Sequence, residues 1–492
     1  MSEQTTLLGR TLGIFRGIAA SAGFATPEPA TDELGDADRA ALRARMAECL
    51  EARGGEVLAR ARAATIGETY LSLGELGKKR FFQLMAHEFG CDPKRIDEAA
   101  RRYLAGQDGD EAAQLQAREG LRASLSAPWV QLLTQFNSLP GGMKFLADMR
   151  SDLQGFMRTD PYLADLDIGF RRLLTTWFDV GFLKLERITW DSPAALLEKL
   201  IAYEAVHEFA GWQDLRHRLH GNRRLYAFFH PSMPGEPLIF VQVALVDGIA
   251  GNVQYLLDPR VEHPEPSKAD TAIFYSITNT QSGLRGISFG NFLIKQVVDD
   301  LARDLPHLKQ FATLSPLPGF RAWLERRIGD SAEMLLNDKE RAKIEEVAGV
   351  SLKTITAAVL AQPDWLENED LREVLAPVLK RAAALYLISR DDRERPLDAV
   401  ARFHLGNGAR VERLHVGADS SGAGLAKSFT VMVNYLYPPD EIERNHEAFA
   451  ESGVITIAPE IAELLKGRLD GKDTSVRVAR RSGAIGRMMG RT

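Results

Sequence analysis

Residues 271–320 decide how this chain folds, and their sequence is TAIFYSITNTQSGLRGISFGNFLIKQVVDDLARDLPHLKQFATLSPLPGF. The run from Thr271 to Thr280 is rich in β-branched and aromatic side chains, which predicts a buried strand. The stretch from Gln281 to Gly290 predicts a glycine-containing loop, and Asn291 to Arg303 has the apolar spacing of an amphipathic helix. A second, short strand is predicted from Gln310 to Ser315. The order strand, loop, helix, strand indicates an α/β unit.

The glycine loop suggests an anion site at the start of the helix. First-turn N–H groups of a helix have no partner within the helix, and the helix dipole favours negative charge there. Glycines at Gly283, Gly286 and Gly290 would let the backbone approach a pyrophosphate closely. The same glycines would equally suit a tight turn that allows close packing. Spacing alone does not separate these two interpretations.

Several motifs resemble those of the malonyl-CoA decarboxylase family. They are FYSIT (274–278), TQSGLRGI (280–287), GNFLIKQVV (290–298), LSPLPGF (314–320), LERITW (185–190), EAVH (204–207), PGEPL (234–238), FHLGNGA (403–409) and NYLY (434–437). They occur in the family's order over most of residues 180–437. The resemblance implies a catalytic domain similar to the GNAT acyltransferase fold, whose CoA loop follows the pattern Q/R-x-x-G-x-G/A. The stretch RGISFG at 285–290 is similar to that pattern, with Ser288 where the first glycine usually stands.

The resemblance also implies a catalytic pair, Ser315 and His404. A neutral imidazole can give or take a proton near neutral pH. The hydroxyl of Ser315 is expected to bind the leaving carboxylate or to pass a proton, with His404 setting its protonation. Without the resemblance, His404 would more simply be a half-buried histidine in a turn, and Ser315 a turn or cap residue. A serine-bound acyl intermediate is not expected, because decarboxylation needs no nucleophile.

The backbone from residue 285 to residue 291 is the predicted site for the coenzyme A part of the substrate. Its residues are Arg285, Gly286, Ile287, Ser288, Phe289, Gly290 and Asn291. Gln281 and Lys295 are weaker candidates for the same role, and Lys295 would equally be a solvated helix position. Ser276, Asn434 and Tyr435 match family motifs, and they would either line the acyl pocket or be hydrogen-bonded core residues.

The function implied by the resemblance is the conversion of malonyl-CoA to acetyl-CoA and CO₂. The thioester carbonyl is itself the electron sink, so no cofactor is expected, and the sequence contains no metal, flavin or pyridoxal motif. Glu204 and His207 are three residues apart but lack an obvious third ligand, so we predict no metal site. Two other functions remain open, namely a GNAT-type CoA-dependent acyltransferase and a non-catalytic acyl-CoA-binding sensor.

Composition limits the partners and the location of the chain. The formal net charge of −6 gives no reason to expect nucleic acid as a partner. No run approaches the roughly 20 apolar residues of a membrane span. Two cysteines, Cys49 and Cys91, are too few for a disulfide framework or a zinc site. Together with the absence of a secretory signal, they favour a cytoplasmic protein.

The chain exceeds what one hydrophobic core usually serves, since it has 492 residues. The predicted fold class is α+β, with an all-helical bundle at 1–175 and a GNAT-like mixed α/β catalytic domain at 176–492. The bundle is expected to be a scaffold or an oligomer contact, and the resemblance implies a homotetramer. Within the catalytic domain we predict a helical insertion from Arg321 to about Ile388, a flexible loop at 417–424 and a strand from Ser428 to Tyr437.

Overall fold

The structure, a computed structural model, describes residues 7–24, 31–51, 55–106, 110–261, 265–287, 293–330, 335–467 and 475–479. Contacts divide the chain into two compact units. The first consists of Met1–Lys184, Phe229–Leu238 and Thr280–Phe289, and the second of Leu185–Phe228, Ile239–Asn279 and Gly290–Thr492. Two later segments therefore join the N-terminal part, an arrangement that the sequence did not predict.

The N-terminal part is helical, as its amphipathic patterns predict. Its helices are α1 (Leu7–Ser21), α2 (Asp36–Leu50), α3 (Gly55–Ser72), α4 (Glu75–Glu88), α5 (Pro93–Ala105), α6 (Glu111–Ser124), α7 (Pro128–Asn137), α8 (Gly142–Phe156) and α9 (Ala164–Trp177). Aromatic rings hold this unit together: Tyr70 meets Phe81, Phe82 and Phe145 edge-to-face at centroid distances of 5.0, 5.6 and 5.7 Å. Edge-to-face pairs add a preferred geometry to the burial of apolar area.

The described strands form one mixed sheet. They are β1 (Lys184–Ile188), β2 (Arg223–Phe229), β3 (Pro237–Val246), β4 (Thr271–Asn279), β5 (Gln310–Thr313), β6 (Ser315–Pro316), β7 (Arg410–His415), β8 (Met432–Leu436), β9 (Ile455–Ile457) and β10 (Val476–Val478). Their order is β1-β2-β3-β4-β5-β8-β7-β9-β10, and β6 pairs with β8. The predicted strands at 271–280 and 310–315 are confirmed as β4, β5 and β6.

Helices follow or precede most of these strands. They are α10 (Ala194–Tyr203), α11 (Trp212–Leu219), α12 (Val253–Leu257), α13 (Leu293–Asp304), α14 (Phe320–Asp330), α15 (Asp338–Ala348), α16 (Glu369–Ile388), α17 (Ala399–Gly406), α18 (Gly422–Ser428), α19 (Ile442–Ser452) and α20 (Pro459–Leu464). The predicted helical insertion is confirmed, because α14 to α16 lie between β6 and β7. None of the described helices combines the length and the apolar character needed to cross a bilayer.

Strands β4 and β5 run parallel, but their ladder is short. It joins Thr271 to Gln310 and ends, within the described residues, where Phe274 pairs with Thr313. On the other edge of β4, Gln242 pairs with Ser276 and Val243 with Phe274, so Tyr275 is an extra residue in the strand. Such a bulge bends a strand locally. The ladder between β4 and β5 therefore ends beside a bend.

Two expectations for the C-terminal region are wrong in detail. The predicted flexible loop at 417–424 contains the start of a helix, because the Ser421 side chain accepts a hydrogen bond from Gly424 N and caps α18. The strand predicted from Ser428 begins only at Met432, because Phe429 and Thr430 have φ angles of +48° and +69°. Left-handed backbone does not continue a strand.

A buried carboxylate ties the loop after α10 to the centre of the sheet. Glu204, 5% exposed, accepts hydrogen bonds from the backbone N–H of Val206 (2.7 Å) and His207 (3.0 Å). Its other donors are the side chains of Gln242, Ser276 and Thr278. A buried carboxylate is stable when such donors replace water. Glu204 thus fixes β3 and β4 where β4 bulges.

Replacing Glu204 by alanine is expected to destabilise the fold strongly, because it leaves several buried donors without an acceptor. We expect a loss of about 3–5 kcal/mol in the free energy of unfolding, measured by urea titration. The control is Glu346→Gln, which removes an exposed ion pair with Lys343 and should change stability by less than about 0.5 kcal/mol. Equal effects of the two substitutions would contradict this role of Glu204.

Candidate active site

Ser315 and His404, the predicted catalytic pair, lie next to each other. Ser315 begins β6, and His404 lies in the last turn of α17. The Oγ of Ser315 is 3.2 Å from Nε2 of His404. Both side chains are buried, with 5% and 2% of their surface exposed. The predicted pairing of these two residues in space is therefore present.

The start of α17 holds the histidine in place. Asp398 caps this helix, because its Oδ1 accepts a hydrogen bond from Ala401 N at 2.8 Å. Its Oδ2 accepts a hydrogen bond from the hydroxyl of Tyr386, in α16, at 3.0 Å. An N-cap fixes the first turn of a helix. The helical insertion thus reaches the active site through Tyr386 and Asp398, two residues that the sequence did not single out.

Tyr437 determines which nitrogen of His404 carries the proton. Its hydroxyl is 2.7 Å from Nδ1 of His404, and no other hydrogen bond of this hydroxyl is found in the described part of the chain. Burial raises the pKa of Tyr437 well above its usual value, so the phenol keeps its proton. A buried O–H needs an acceptor. We therefore assign Nδ1 as the acceptor and place the imidazole proton on Nε2.

The resulting hydrogen bonds all run in one direction. Nε2–H of His404 donates to Oγ of Ser315, and the Ser315 hydroxyl donates to Oγ1 of Thr313 at 2.8 Å. Thr313 also accepts from Tyr435 N at 3.1 Å. The histidine thus has no lone pair directed at the serine. This arrangement does not activate Ser315 as a nucleophile, which requires a base beside its hydroxyl.

The imidazole of His404 is neutral in the folded protein. Burial lowers the pKa of His404 from 6.5 to about 3, because a desolvated charge is unfavourable. The ring of Tyr435 stacks on it with a centroid distance of 4.5 Å. The Tyr435 hydroxyl is buried and has no hydrogen-bond partner among the described residues. It is therefore the one group of this stack that could still bind a substrate atom.

Asn434 and Tyr435, both predicted to line an acyl pocket, point to opposite faces of β8, as neighbouring strand residues do. Tyr435 shares the face of His404. Asn434 instead donates hydrogen bonds to the carbonyls of Thr313 (2.7 Å) and Ala250 (3.0 Å). It thus ties β8 to the strand that leads to Ser315. Ser276 likewise has a structural partner, Glu204, and its predicted contact with substrate stays a prediction.

The predicted coenzyme A segment is described only in part. Arg285, Gly286 and Ile287 follow a short 3₁₀ turn, Ser282–Leu284. Gly286 has a φ of +79°, a conformation that favours glycine. The predicted contacts Ser288, Phe289, Gly290 and Asn291 lie outside the described residues.

The two weaker candidates for the coenzyme A site have partners. The amide of Gln281 donates to the carbonyl of Pro237 at 3.2 Å, and Lys295 pairs with Glu443 at 2.5 Å. Lys295 thus fits the alternative of a solvated helix position. Among the residues that the structure describes, no group of three or more His, Cys, Asp or Glu side chains converges as a metal site.

Comparisons with known proteins point to one family over most of the chain. Residues 181–475 match the malonyl-CoA decarboxylase C-terminal domain, and residues 89–178 match the malonyl-CoA decarboxylase N-terminal domain. A mitochondrial malonyl-CoA decarboxylase of Anser anser anser is 36% identical over 390 residues, which cover 76% of this chain and 77% of the relative. The mitochondrial enzyme of Rattus norvegicus is 36% identical over 394 residues, covering 77% and 80%.

Solved structures give the same match. The crystal structure of malonyl-CoA decarboxylase from Rhodopseudomonas palustris has a TM-score of 0.78 and 40% identity, covering 86% of this chain and 99% of that one. The structure from Agrobacterium vitis has a TM-score of 0.77 and 38% identity, with the same coverage. The curated relatives are called mitochondrial, whereas the cytoplasmic location expected for this chain stays a prediction.

The lowered pKa of His404 has a consequence for stability. The unfolded chain takes up a proton on this residue below about pH 6.5, whereas the folded protein does not, so stability falls as pH falls. We expect His404→Gln to weaken the loss of stability between about pH 7 and about pH 5, measured by urea titration at several pH values. The exposed His87→Gln is the control. Identical pH dependence in wild type and His404→Gln would show that the imidazole is not held neutral.

Removal of the Tyr437 hydroxyl is expected to impair turnover more than binding. In Tyr437→Phe, Nδ1 loses its donor, and the imidazole proton is free to move from Nε2 to Nδ1. We expect kcat to fall roughly 100-fold, with KM within about threefold of wild type. Tyr70→Phe is the matched control, because it removes a buried hydroxyl that donates to Asp152 at 2.7 Å far along the chain from this site. An unchanged kcat in Tyr437→Phe would contradict the assigned tautomer.

Proposed function

The chain belongs to the malonyl-CoA decarboxylase family, and we propose that it converts malonyl-CoA to acetyl-CoA and CO₂ at the Ser315–His404 pair. The observation that carries this proposal is the directed chain of hydrogen bonds from Tyr437 through His404 to Ser315. The Ser315 hydroxyl, which donates to Thr313 in this structure, can rotate to give its proton to a carbon atom of the substrate. The enzyme is therefore a carboxy-lyase.

The reaction breaks one carbon–carbon bond and consumes one proton. The electrons of the bond to the carboxylate move into the thioester carbonyl, CO₂ leaves, and an enolate remains. Its carbon then takes a proton to give the methyl group of acetyl-CoA. We propose that Ser315 delivers this proton and that His404 Nε2–H stabilises the serine oxygen, while Tyr437 keeps its own proton and holds Nδ1 as an acceptor. A water molecule that enters as acetyl-CoA leaves then returns a proton to Ser315.

Burial of the Ser315–His404 pair favours decarboxylation, because a neutral buried site does not stabilise the substrate carboxylate by an opposite charge. Since the pKa of His404 is lowered to about 3, the imidazole offers the substrate carboxylate no counter-charge. A carboxylate in a desolvated site is unfavourable, and losing CO₂ moves the negative charge onto the thioester oxygen. Donors directed at that oxygen would stabilise the enolate. The Tyr435 hydroxyl, buried beside His404, is our candidate for one such donor.

The sheet supports a GNAT-like position for the substrate. Strands β4 and β5 are parallel neighbours whose ladder ends at Phe274 and Thr313, and Tyr275 makes the bulge in β4. Backbone N–H groups released from a ladder at such a point can bind the thioester and its pantetheine arm. The coenzyme A phosphates are proposed to lie against Arg285 to Ile287. The homotetramer stays a prediction.

The acyltransferase alternative is less well supported. Transfer by way of Ser315 would need the histidine to accept the serine proton, and Nε2 of His404 already carries one. Direct transfer to an amine would need a base for that amine. Incubation with malonyl-CoA and no acceptor separates the functions, because only a decarboxylase then releases CO₂.

Substitution of either member of the pair tests the assigned roles. We expect Ser315→Ala and His404→Asn each to lower kcat for CO₂ release by about 100-fold or more, with coenzyme A affinity retained. Exchange of the acetyl-CoA methyl protons in D₂O, followed by NMR, isolates the protonation step and should be lost in both variants. Ser428→Ala, which removes another buried hydroxyl, is the control. Wild-type turnover in either variant would rule out its proposed role.

A further inference from the structure

Arg150, a residue of the N-terminal helices, contacts the segment that precedes the predicted coenzyme A site. It lies in α8 and is 2% exposed. Its Nε donates to Oδ1 of Asp167 at 2.7 Å, and Nη2 donates to Oδ2 of Asp167 at 3.3 Å. The remaining nitrogen, Nη1, donates to the carbonyls of Gly283 (2.7 Å) and Arg285 (2.9 Å). One neutralised guanidinium thus holds two carbonyls of the segment that leads into the predicted coenzyme A site.

Close packing against the same helix also fixes this segment. A Cβ on Gly283 would lie 1.7 Å from the carbonyl oxygen of Ala147, so only glycine fits against α8. Next to it, Oγ of Ser282 and Oγ of Ser151 are 2.7 Å apart. Backbone held both by hydrogen bonds and by close contact with a helix has little freedom to shift. The segment from Ser282 to Arg285 is therefore placed by α8.

Arg150 also sets the direction of the next amide. In a trans peptide the carbonyl and the N–H point in opposite directions. Because the Arg285 carbonyl points to Arg150, the N–H of Gly286 points away from it. A backbone N–H held in this way is suited to an anionic oxygen. The guanidinium thus orients a donor without itself contacting the ligand.

A second arginine of the helical part lies beside this amide. The Cδ of Arg171, in α9, lies 4.0 Å from the Cβ position of Gly286. Arg171 is exposed, so its guanidinium can reach a bound phosphate. We propose that Arg150 is a positioning residue for coenzyme A, through the Arg285–Gly286 peptide, and that Arg171 supplies positive charge to its phosphates. This inference rests on the proposed function, because it takes the ligand to be a coenzyme A ester.

The first experiment compares Arg150→Met with Arg381→Met. Arg381 is a matched control because it also makes a two-point ion pair, with Glu340, and donates to the carbonyl of Leu335. We expect Arg150→Met to raise KM for malonyl-CoA about tenfold with kcat within about twofold. Arg381→Met should lose a similar amount of stability and keep the wild-type KM. A KM equal to that of wild type in folded Arg150→Met would overturn the positioning role.

A second variant does not depend on how well Arg150→Met folds. Because Arg171 is exposed, Arg171→Gln should leave the melting temperature unchanged. We expect it to raise KM about threefold to fivefold at low salt and less at high salt, since salt screens exposed charges. Arg122→Gln, an equal charge change on the exposed side of α6, should leave KM unchanged. A salt-independent or absent effect of Arg171→Gln would overturn its role at the phosphates.

Calorimetric titration with free coenzyme A separates this inference from the proposed function. If the wild type binds coenzyme A but releases no CO₂ from malonyl-CoA, the proposed function fails, and weaker binding by Arg150→Met still supports the positioning role. If the wild type releases CO₂ and Arg150→Met binds coenzyme A as tightly as wild type, only the inference fails. If the wild type does not bind coenzyme A, both fail.

Discussion

The hydrogen bond from the Tyr437 hydroxyl to Nδ1 of His404 governs the chemistry available to this protein. It leaves the imidazole with its N–H, rather than a lone pair that could accept a proton, directed at Ser315. A reversed bond would make a serine nucleophile with a basic histidine beside it, the arrangement of many acyl-transfer enzymes. The same two side chains at the same separation would then perform different chemistry. In the proposed mechanism, the position of one proton on His404 thus separates a decarboxylase from an acyltransferase.

The direction of the hydrogen bond from Tyr437 to His404 depends on the burial of both side chains. Burial lowers the pKa of His404 and raises the pKa of Tyr437, so both stay neutral and the chain of hydrogen bonds carries no charge of its own. The surrounding structure keeps water out: Tyr435 stacks on the imidazole, and Asp398 fixes the helix that presents it. Burial also raises the pKa of Asp398, because the carboxyl lies within the protein. The insertion contributes to this buried environment through Tyr386, whose hydroxyl donates to Asp398.

The order of elements around the site could be predicted from hydrophobic periodicity, because β4, α13 and β5 each have a simple pattern. The proposed catalytic pair could not be predicted in this way, since Ser315 and His404 are 89 residues apart and neither has a distinctive local spacing. Tyr437 was missed for a physical reason: a tyrosine two residues after Tyr435 has the alternation of any buried strand. The two-residue period of a strand places Tyr437 on the same face of the sheet as Tyr435. This pattern identifies Tyr437 as a partner of His404 only once the position of His404 is known. Helix α18 was not predicted, because the glycines near Ser421 indicate a loop, and this signal is stronger than the helix signal of Ser421 as an N-cap.

The close approach of Gly283 to Ala147 has a consequence for the way this protein can be divided. The helical unit includes the segment Thr280–Phe289 from the middle of the chain, so a cut at the N-terminal boundary would leave Ser282 to Arg285 without the helix against which they pack. A catalytic fragment made by truncation, or a chimera that exchanges only the N-terminal helices with a distant relative, would lose the complementary surface for Ser282 to Arg285. The N-terminal helices and the segment Ser282 to Arg285 are therefore not separable as modules, and exchange by recombination would have to carry both together.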